Sequence, residues 1–250
     1  MPAPTPQRPK FTPPRGEQAS VRPEQISKLN IALFDGLSEA EIQEIITQAR
    51  LQKFEPKVVM CSPDEPAERL FLLIHGRIKY CRVTPRGEEI LLRLATPGES
   101  FGLAALLPNP PNYLGSAESM SQSELIVWEH KVLIALPDRY LQQLTTNSLR
   151  IALSQLGSLV DRHSNLFDGS ATNRIARVLV DLGRRSGTVH HKGIDVSITN
   201  EQLGSLADVS RFTVSRTLSK WTKASVISKS RESVRIHSPE ALLSDARAQT

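Results

Sequence analysis

The sequence predicts an α+β chain in three parts: an antiparallel β-barrel or roll, a long helix, and a terminal pair of short helices followed by a small β-hairpin. Three observations carry this. Between Leu51 and about Leu136, short apolar runs alternate with turn residues. From Leu149 to Phe167, apolar residues recur at the spacing of a helix seam. From Thr199 to Trp221, a cap, a turn and an inner face follow one another in the order two short helices require.

The chain has 250 residues, room for two modest domains. Residues 1–23 hold seven prolines among scattered Arg and Lys and read as an extended, disordered leader. Residues 24 to 50 read as short helices, with Ser38 as a cap and Ile42, Ile45 and Ile46 on one face. No stretch approaches the roughly 18–20 apolar residues of a membrane helix. The opening MPAPTPQRPK lacks the apolar centre of a secretory signal. A cytoplasmic location with no membrane partner is therefore expected. Two cysteines, Cys61 and Cys81, with no CxxC pair, argue against a disulfide framework and against an iron–sulfur cluster.

In the β region the runs are VVMC, RLFLLI, IKYCRV, EILLRL and SELIVW. The breaks are PDEP, HG, PRG, PGE and NPPN, with Gly76, Gly87 and Gly98 at tight turns. After it, Leu149, Leu153, Leu156, Val160, His163 and Phe167 are spaced 4, 3, 4, 3, 4. This reads as a dimer seam; the alternative is an amphipathic helix lying on its own domain. Residues 168 to 187 read as a further helix with Ile175, Val178, Leu179 and Leu182 on one side. Residues 187–193 read as a loop, and 195–198 as a short strand.

Thr199 and Gln202 form a capping-box pattern ahead of Leu203, Leu206 and Ala207. Asp208 and Val209 make the turn, Asp being among the few residues that tolerate positive φ. Ser210 caps a second helix whose inner face is Val214, Leu218 and Trp221. That leaves Arg211, Phe212, Thr213, Ser215, Arg216, Ser219 and Lys220 for solvent or DNA. Guanidinium forks match guanine O6 and N7 in the major groove. Downstream, VISKSRESVRIHS reads as a wing, with Lys229 and Arg231 placed for phosphate contacts. From Ser170 to Thr250 there are 13 Lys and Arg against 7 Asp and Glu, net +6, which leaves about −1 for the remainder. The positive charge thus gathers where the phosphate contacts are expected. The reading is a sequence-specific regulator of double-stranded DNA. The competing class is a small-molecule-sensing regulatory protein whose basic C-terminal domain binds a protein or acidic partner. An enzyme ranks last, since there is no nucleophile–base–acid set, Gly-rich phosphate loop or metal-spaced His/Cys cluster.

From about Leu33 to His237 the chain resembles the Crp/Fnr superfamily of transcription regulators. The stretches that carry the resemblance are FLLIHGRIK from Phe71, PGESFG from Pro97, and NEQLGSLADVSRFTVSR from Asn200. It implies a cyclic-nucleotide-binding-like β-roll over 24–138, a dimerisation helix over 139–168, and a winged helix-turn-helix over 169–250. It also implies a bacterial homodimer, an inverted-repeat operator and RNA polymerase as a partner. The effector pocket would fall on Gly102, Leu103, Ala104, Gly115, Ser116, Ala117, Leu159 and Val160.

The departures are informative. Members that bind cyclic AMP carry a ribose-binding glutamate where this chain has Leu103, and a phosphate-binding arginine where it has Gly115. Leu159 and Val160 offer no hydroxyl to a base. A buried anion without a partner is costly, so cyclic AMP is not expected as the effector. Heme-binding members carry Cys and His where Leu103-Ala104-Ala105 stand, and oxygen-sensing members carry an N-terminal cysteine cluster that is missing here. No cofactor is expected. His75, His130 and His163 read as ordinary surface or core residues, although a dimer seam would set His163 opposite its mate; His190-His191 reads as a solvated loop, and Cys81 as a core side chain. In the second helix of the motif the family commonly has Glu where this chain has Phe212. Phe212 cannot accept from cytosine N4, and is expected on a thymine methyl or a sugar edge.

Overall fold

The computed structural model describes residue 26 and residues 29–84, 87, 89–168, 170–230 and 232–248, without the side chains of 161–168, 185, 186, 245, 247 and 248. The expectations for the 1–23 leader, for Arg231 and for the side chains of His163 and Phe167 lie outside the described residues. The chain divides into two compact units: residues up to 82 with 97–148, and 83–96 with 149 onward.

The first unit opens with a 3₁₀ turn, Ala32–Phe34, and helix α1, Glu39–Thr47. Ser38 and Glu41 form a capping box at the start of α1, and the bond from Ser38 holds the Glu41 carboxyl below its ordinary range. Between residues 50 and 129 the strands are β1 Arg50–Phe54, β2 Val59–Cys61, β3 Arg69–His75, β4 Ile78–Val83, β5 Glu89–Ala95, β6 Ser100–Phe101, β7 Ser116–Ser119 and β8 Ser123–Glu129. They form two four-stranded sheets, ordered β1-β8-β3-β6 and β2-β7-β4-β5. The five apolar runs read from the sequence become β2, β3, β4, β5 and β8; β1, β6 and β7 are additional.

Strand β3 is buried on both faces from Leu70 to Ile74, which is why it reads as a continuous apolar run. On the neighbouring strand β8, Trp128 is covered by the N-terminal helices. Phe34 meets Trp128 edge to face, 6.3 Å between ring centres, and the Trp128 indole N–H donates to the Ile45 carbonyl at 2.8 Å. Trp128 lies opposite Leu70 in the β3–β8 register. Cys61 and Cys81 are both buried, and burial pushes the Cys61 thiol up to about 12, so Cys61 is not poised for thiolate chemistry.

Short helix α2, His130–Leu133, leads into the long helix α3, Asp138–Asp168. At about 1.5 Å per residue, α3 is about 46 Å long. Its first turns are tied down by Asn147, a buried amide that donates to the carbonyls of Leu33 at 2.9 Å and Asp35 at 2.8 Å. Gln143 adds a third bond, to Asp35, at 3.0 Å. Further along, Leu149, Leu153, Leu156, Leu159 and Val160 are 44–60% exposed.

The second unit contains α4 Ala171–Ser186, β9 Thr188–His190, β10 Gly193–Ser197, α5 Asn200–Ala207, α6 Arg211–Lys223, β11 Ile227–Lys229, β12 Ser233–Ile236 and α7 Pro239–Ala248. Its sheet is ordered β11-β12-β10-β9. The apolar side of α4, with Ile175, Leu179 and Leu182 buried, packs on α5, α7 and β10. Two expectations need correction. Residues 187–193 are not a plain loop, because Thr188–His190 pairs with Gly193–Asp195 as an edge strand. All three residues of β9 are exposed, so the strand carries no apolar alternation to read. His190 is accordingly not a free loop residue: its Nε2 lies 3.3 Å from an Asp195 carboxylate oxygen.

Across the same sheet Arg235 grips Asp195 with two bonds, 2.6 and 2.7 Å. The Arg235 bond holds the Asp195 carboxyl below the usual carboxylate range. Since the folded-state value is lowered, the stabilisation is full above the carboxylate's ordinary value of about 4 and is lost as pH falls through its lowered value. Asp195→Asn should therefore lower Tm at pH 7 and have little effect near pH 2. Equal shifts at both pH values, in thermal melts followed by circular dichroism, would show that the ion pair is not the source.

Candidate nucleic-acid interface

The motif from Thr199 to Lys223 is built as its local chemistry requires. Thr199 accepts from the Gln202 amide at 3.2 Å while the Gln202 side chain accepts from the Thr199 amide at 3.0 Å. Helix α5 ends at Asp208, whose φ of 51° and ψ of 54° are left-handed. The expected turn at Asp208 is thus present, with aspartate where glycine is the usual choice. The turn is tight: the Val209 amide donates to the Gly204 carbonyl at 2.9 Å. A Cβ on Gly204 would stand 2.7 Å from the Val209 carbonyl oxygen, so glycine is needed at 204 for the two backbones to approach.

Ser210 then caps α6, accepting from the Thr213 amide at 3.1 Å. Val214, Leu218 and Trp221 are fully buried, so the expected inner face is the inner face. Arg211, Phe212, Arg216, Ser219 and Lys220 are exposed on the opposite side, with Thr213 and Ser215 half-buried at its edge. The Thr213 hydroxyl lies 3.0 Å from that of Ser210, which places it in the cap as well as at the surface. Lys229 is exposed on β11, in the wing. The wing turn is closed by Ser230, whose amide donates to the Ser233 carbonyl at 2.9 Å.

One residue that positions this surface carries no signal in the sequence. Arg174, on α4, donates to the carbonyls of Ala207 at 2.9 Å and Asp208 at 3.2 Å. These are orphan acceptors at the C-terminal end of α5, where a cation is also favoured by the helix dipole. Nothing in the spacing of α4 distinguishes Arg174 from a solvated arginine. Only the fold brings it to residues 33 and 34 positions later.

The residues read as an effector pocket fall on different elements. Gly102 is left-handed at φ 73° and opens a 3₁₀ turn, Leu103–Leu106, in which Leu103 and Ala104 are half-buried. Gly115, Ser116 and Ala117 are buried at the start of β7. Leu159 and Val160 belong to the exposed stretch of α3. Arg82 donates to the Leu114 carbonyl at 3.3 Å, beside Gly115. His130 is likewise engaged, its Nδ1 lying 2.9 Å from the Ala105 carbonyl. Among the described residues no cluster of three or more His, Cys, Asp or Glu is arranged to hold a metal ion, and no helix is long and apolar enough to cross a membrane.

An antiparallel roll, a long helix and a winged helix-turn-helix in this order define the architecture of one class of transcription regulator. Comparison with known proteins agrees along the chain. Residues 51–140 match the cyclic nucleotide-binding domain, and residues 173–244 match the Crp-like helix-turn-helix domain. A CRP-like cAMP-activated global transcriptional regulator of Mycobacterium tuberculosis is 25% identical over 218 residues, covering 86% of this chain and 96% of the relative. A global nitrogen regulator of Synechococcus elongatus is 26% identical over 200 residues, covering 77% and 88%. A solved CRP-family regulator of Thermus thermophilus superposes with a TM-score of 0.64 at 25% identity, covering 78% of this chain and 96% of its own. The chain belongs to the Crp/Fnr superfamily of DNA-binding transcription regulators, which are not enzymes.

Arg174→Ala should destabilise the C-terminal unit by about 1–2 kcal/mol, the low end for charge-assisted hydrogen bonds because the site is partly exposed. Arg174→Lys should recover little, since an ammonium lacks the fork that spans two carbonyls. Urea unfolding checks both; full rescue by lysine would mean that charge alone matters.

Proposed function

We propose that this protein is a cytoplasmic homodimer that reads an inverted-repeat operator and works with RNA polymerase, without control by cyclic AMP. The observation that carries the reading is the division of α6. Its inner face is fully buried, while Arg211, Phe212, Arg216 and Lys220 stand free on the outer one. In this reading Arg211, Phe212, Thr213, Ser215 and Arg216 face the major groove, and Lys220, Lys229 and Arg231 face phosphates. In the same reading the domains are a leader to residue 23, a sensor roll over 24–138, a dimer helix over 139–168 and a DNA-binding domain from 169.

The dimer is supported by the exposed run of Leu149, Leu153, Leu156, Leu159 and Val160. A row of large apolar side chains in water is unusual for a monomer and matches the seam spacing read from the sequence. Two copies of α6 set about 34 Å apart would meet half-sites one helical turn apart. Binding-site selection on the purified protein should return an inverted repeat, with a dimer in sedimentation. Arg216→Ala should lose about 1–3 kcal/mol of operator discrimination, whereas Lys229→Ala should weaken specific and nonspecific binding alike. A stable monomer on and off DNA would overturn the reading.

The M. tuberculosis relative is named as cAMP-activated. Here the place of the ribose carboxylate is taken by half-buried Leu103, and that of the phosphate guanidinium by buried Gly115. An effector, if the protein takes one, is uncharged or balanced by Arg82, Arg93 or the long helix. Calorimetric titration should show no micromolar cyclic AMP binding and no change in operator affinity; micromolar binding would refute this.

A further inference from the structure

The first two residues of α6 form a pair that departs from the rest of its outer face. Phe212 is 71% exposed, a large ring presented to solvent among polar neighbours. The Arg211 guanidinium lies over that ring, 5.0 Å from its centre. Among the described residues, the Arg211 side chain makes no hydrogen bond or ion pair, and its one partner is the ring beside it.

This arrangement leaves a specific set of groups free. Stacking uses one flat face of the guanidinium and none of its in-plane N–H donors. A bidentate bond to guanine O6 and N7 uses the donors along one edge of that plane. The two contacts are therefore compatible, and the ring biases the fork toward one side of the helix before DNA arrives. With the fork on a guanine, the ring is carried to an adjoining base pair. A phenyl ring neither accepts nor donates. Against cytosine N4 or adenine N6 it would cover an amine that then loses its water without gaining a partner. Against a C5-methyl group it makes an apolar contact.

We propose that Arg211 and Phe212 act as one reading unit, recognising a guanine together with the pyrimidine C5-methyl group of an adjoining base pair in each half-site. The inference rests on the major-groove reading of α6 proposed above. Its consequence is that operator affinity depends on a single methyl group. Thymine at that position is favoured over uracil, although both present the same hydrogen-bonding groups. Where cytosine stands there, C5-methylation strengthens binding.

The test uses the full-length protein and its selected operator, measured by fluorescence anisotropy at fixed salt. Each thymine flanking a guanine in the half-site is replaced singly by deoxyuridine, and a cytosine variant of the same position is compared with 5-methylcytosine. One position per half-site should lose about fourfold in affinity on removal of its methyl, as expected from about 0.8 kcal/mol per buried carbon and tenfold per 1.4 kcal/mol. 5-Methylcytosine should recover a similar factor over cytosine. Phe212→Ser should abolish both methyl effects, and Arg211→Ala should shrink them while relaxing the requirement for guanine. Because Phe212 is exposed, Phe212→Ser should keep the fold, which circular dichroism checks. Equal affinity for thymine and uracil at every position would overturn the proposal, as would a consensus with no thymine beside guanine, or a methyl effect that survives in Phe212→Ser. Arg216→Ala in the same assay separates the two levels. If it loses operator discrimination while no methyl effect appears, α6 reads DNA but the pair does not act as proposed. If it leaves the consensus unchanged, the face assigned to the groove is itself wrong.

Discussion

The reading surface depends on a reversal of the backbone at Asp208. Helices α5 and α6 are joined by three residues, and one of them must take a left-handed conformation. Three things hold that reversal in place. Gly204 lets the two backbones close up, Arg174 caps the carbonyls exposed by the turn, and buried Trp221 anchors the far end of α6. None of these groups points outward. They fix the direction of α6, and every exposed side chain on it inherits that direction.

The same features explain why so much of this motif was legible. Caps, turns and inner faces are local devices, written within a few residues of the backbone they control, so Thr199, Asp208, Ser210 and the 214–218–221 spacing could be read directly. The apolar strand runs were legible for the same reason. The missed elements are those whose cause lies elsewhere in the chain. Strands β6 and β7 are too short to show alternation, and β9 is exposed at a sheet edge. Arg174 and Asn147 look like ordinary helix residues until the fold brings distant carbonyls to them.

Reading the roll by family pattern also had a definite reach. The structure puts Gly102 in a left-handed turn and Ser116 at the start of β7, neither of which the strand pattern had marked. The proposal that cyclic AMP is not the effector rests on two residue identities, Leu103 and Gly115. Selection of an effector by shape and apolar contact leaves no charge signature of that kind.

Asn147 has a consequence for the order in which this protein takes shape on the ribosome. The carbonyls of Leu33 and Asp35 wait for a side chain 114 and 112 residues further on. The Ile45 carbonyl waits for Trp128, 83 residues on. The amino-terminal helices are thus synthesised early and completed late. They close the first unit only after the first turns of α3 have left the exit tunnel.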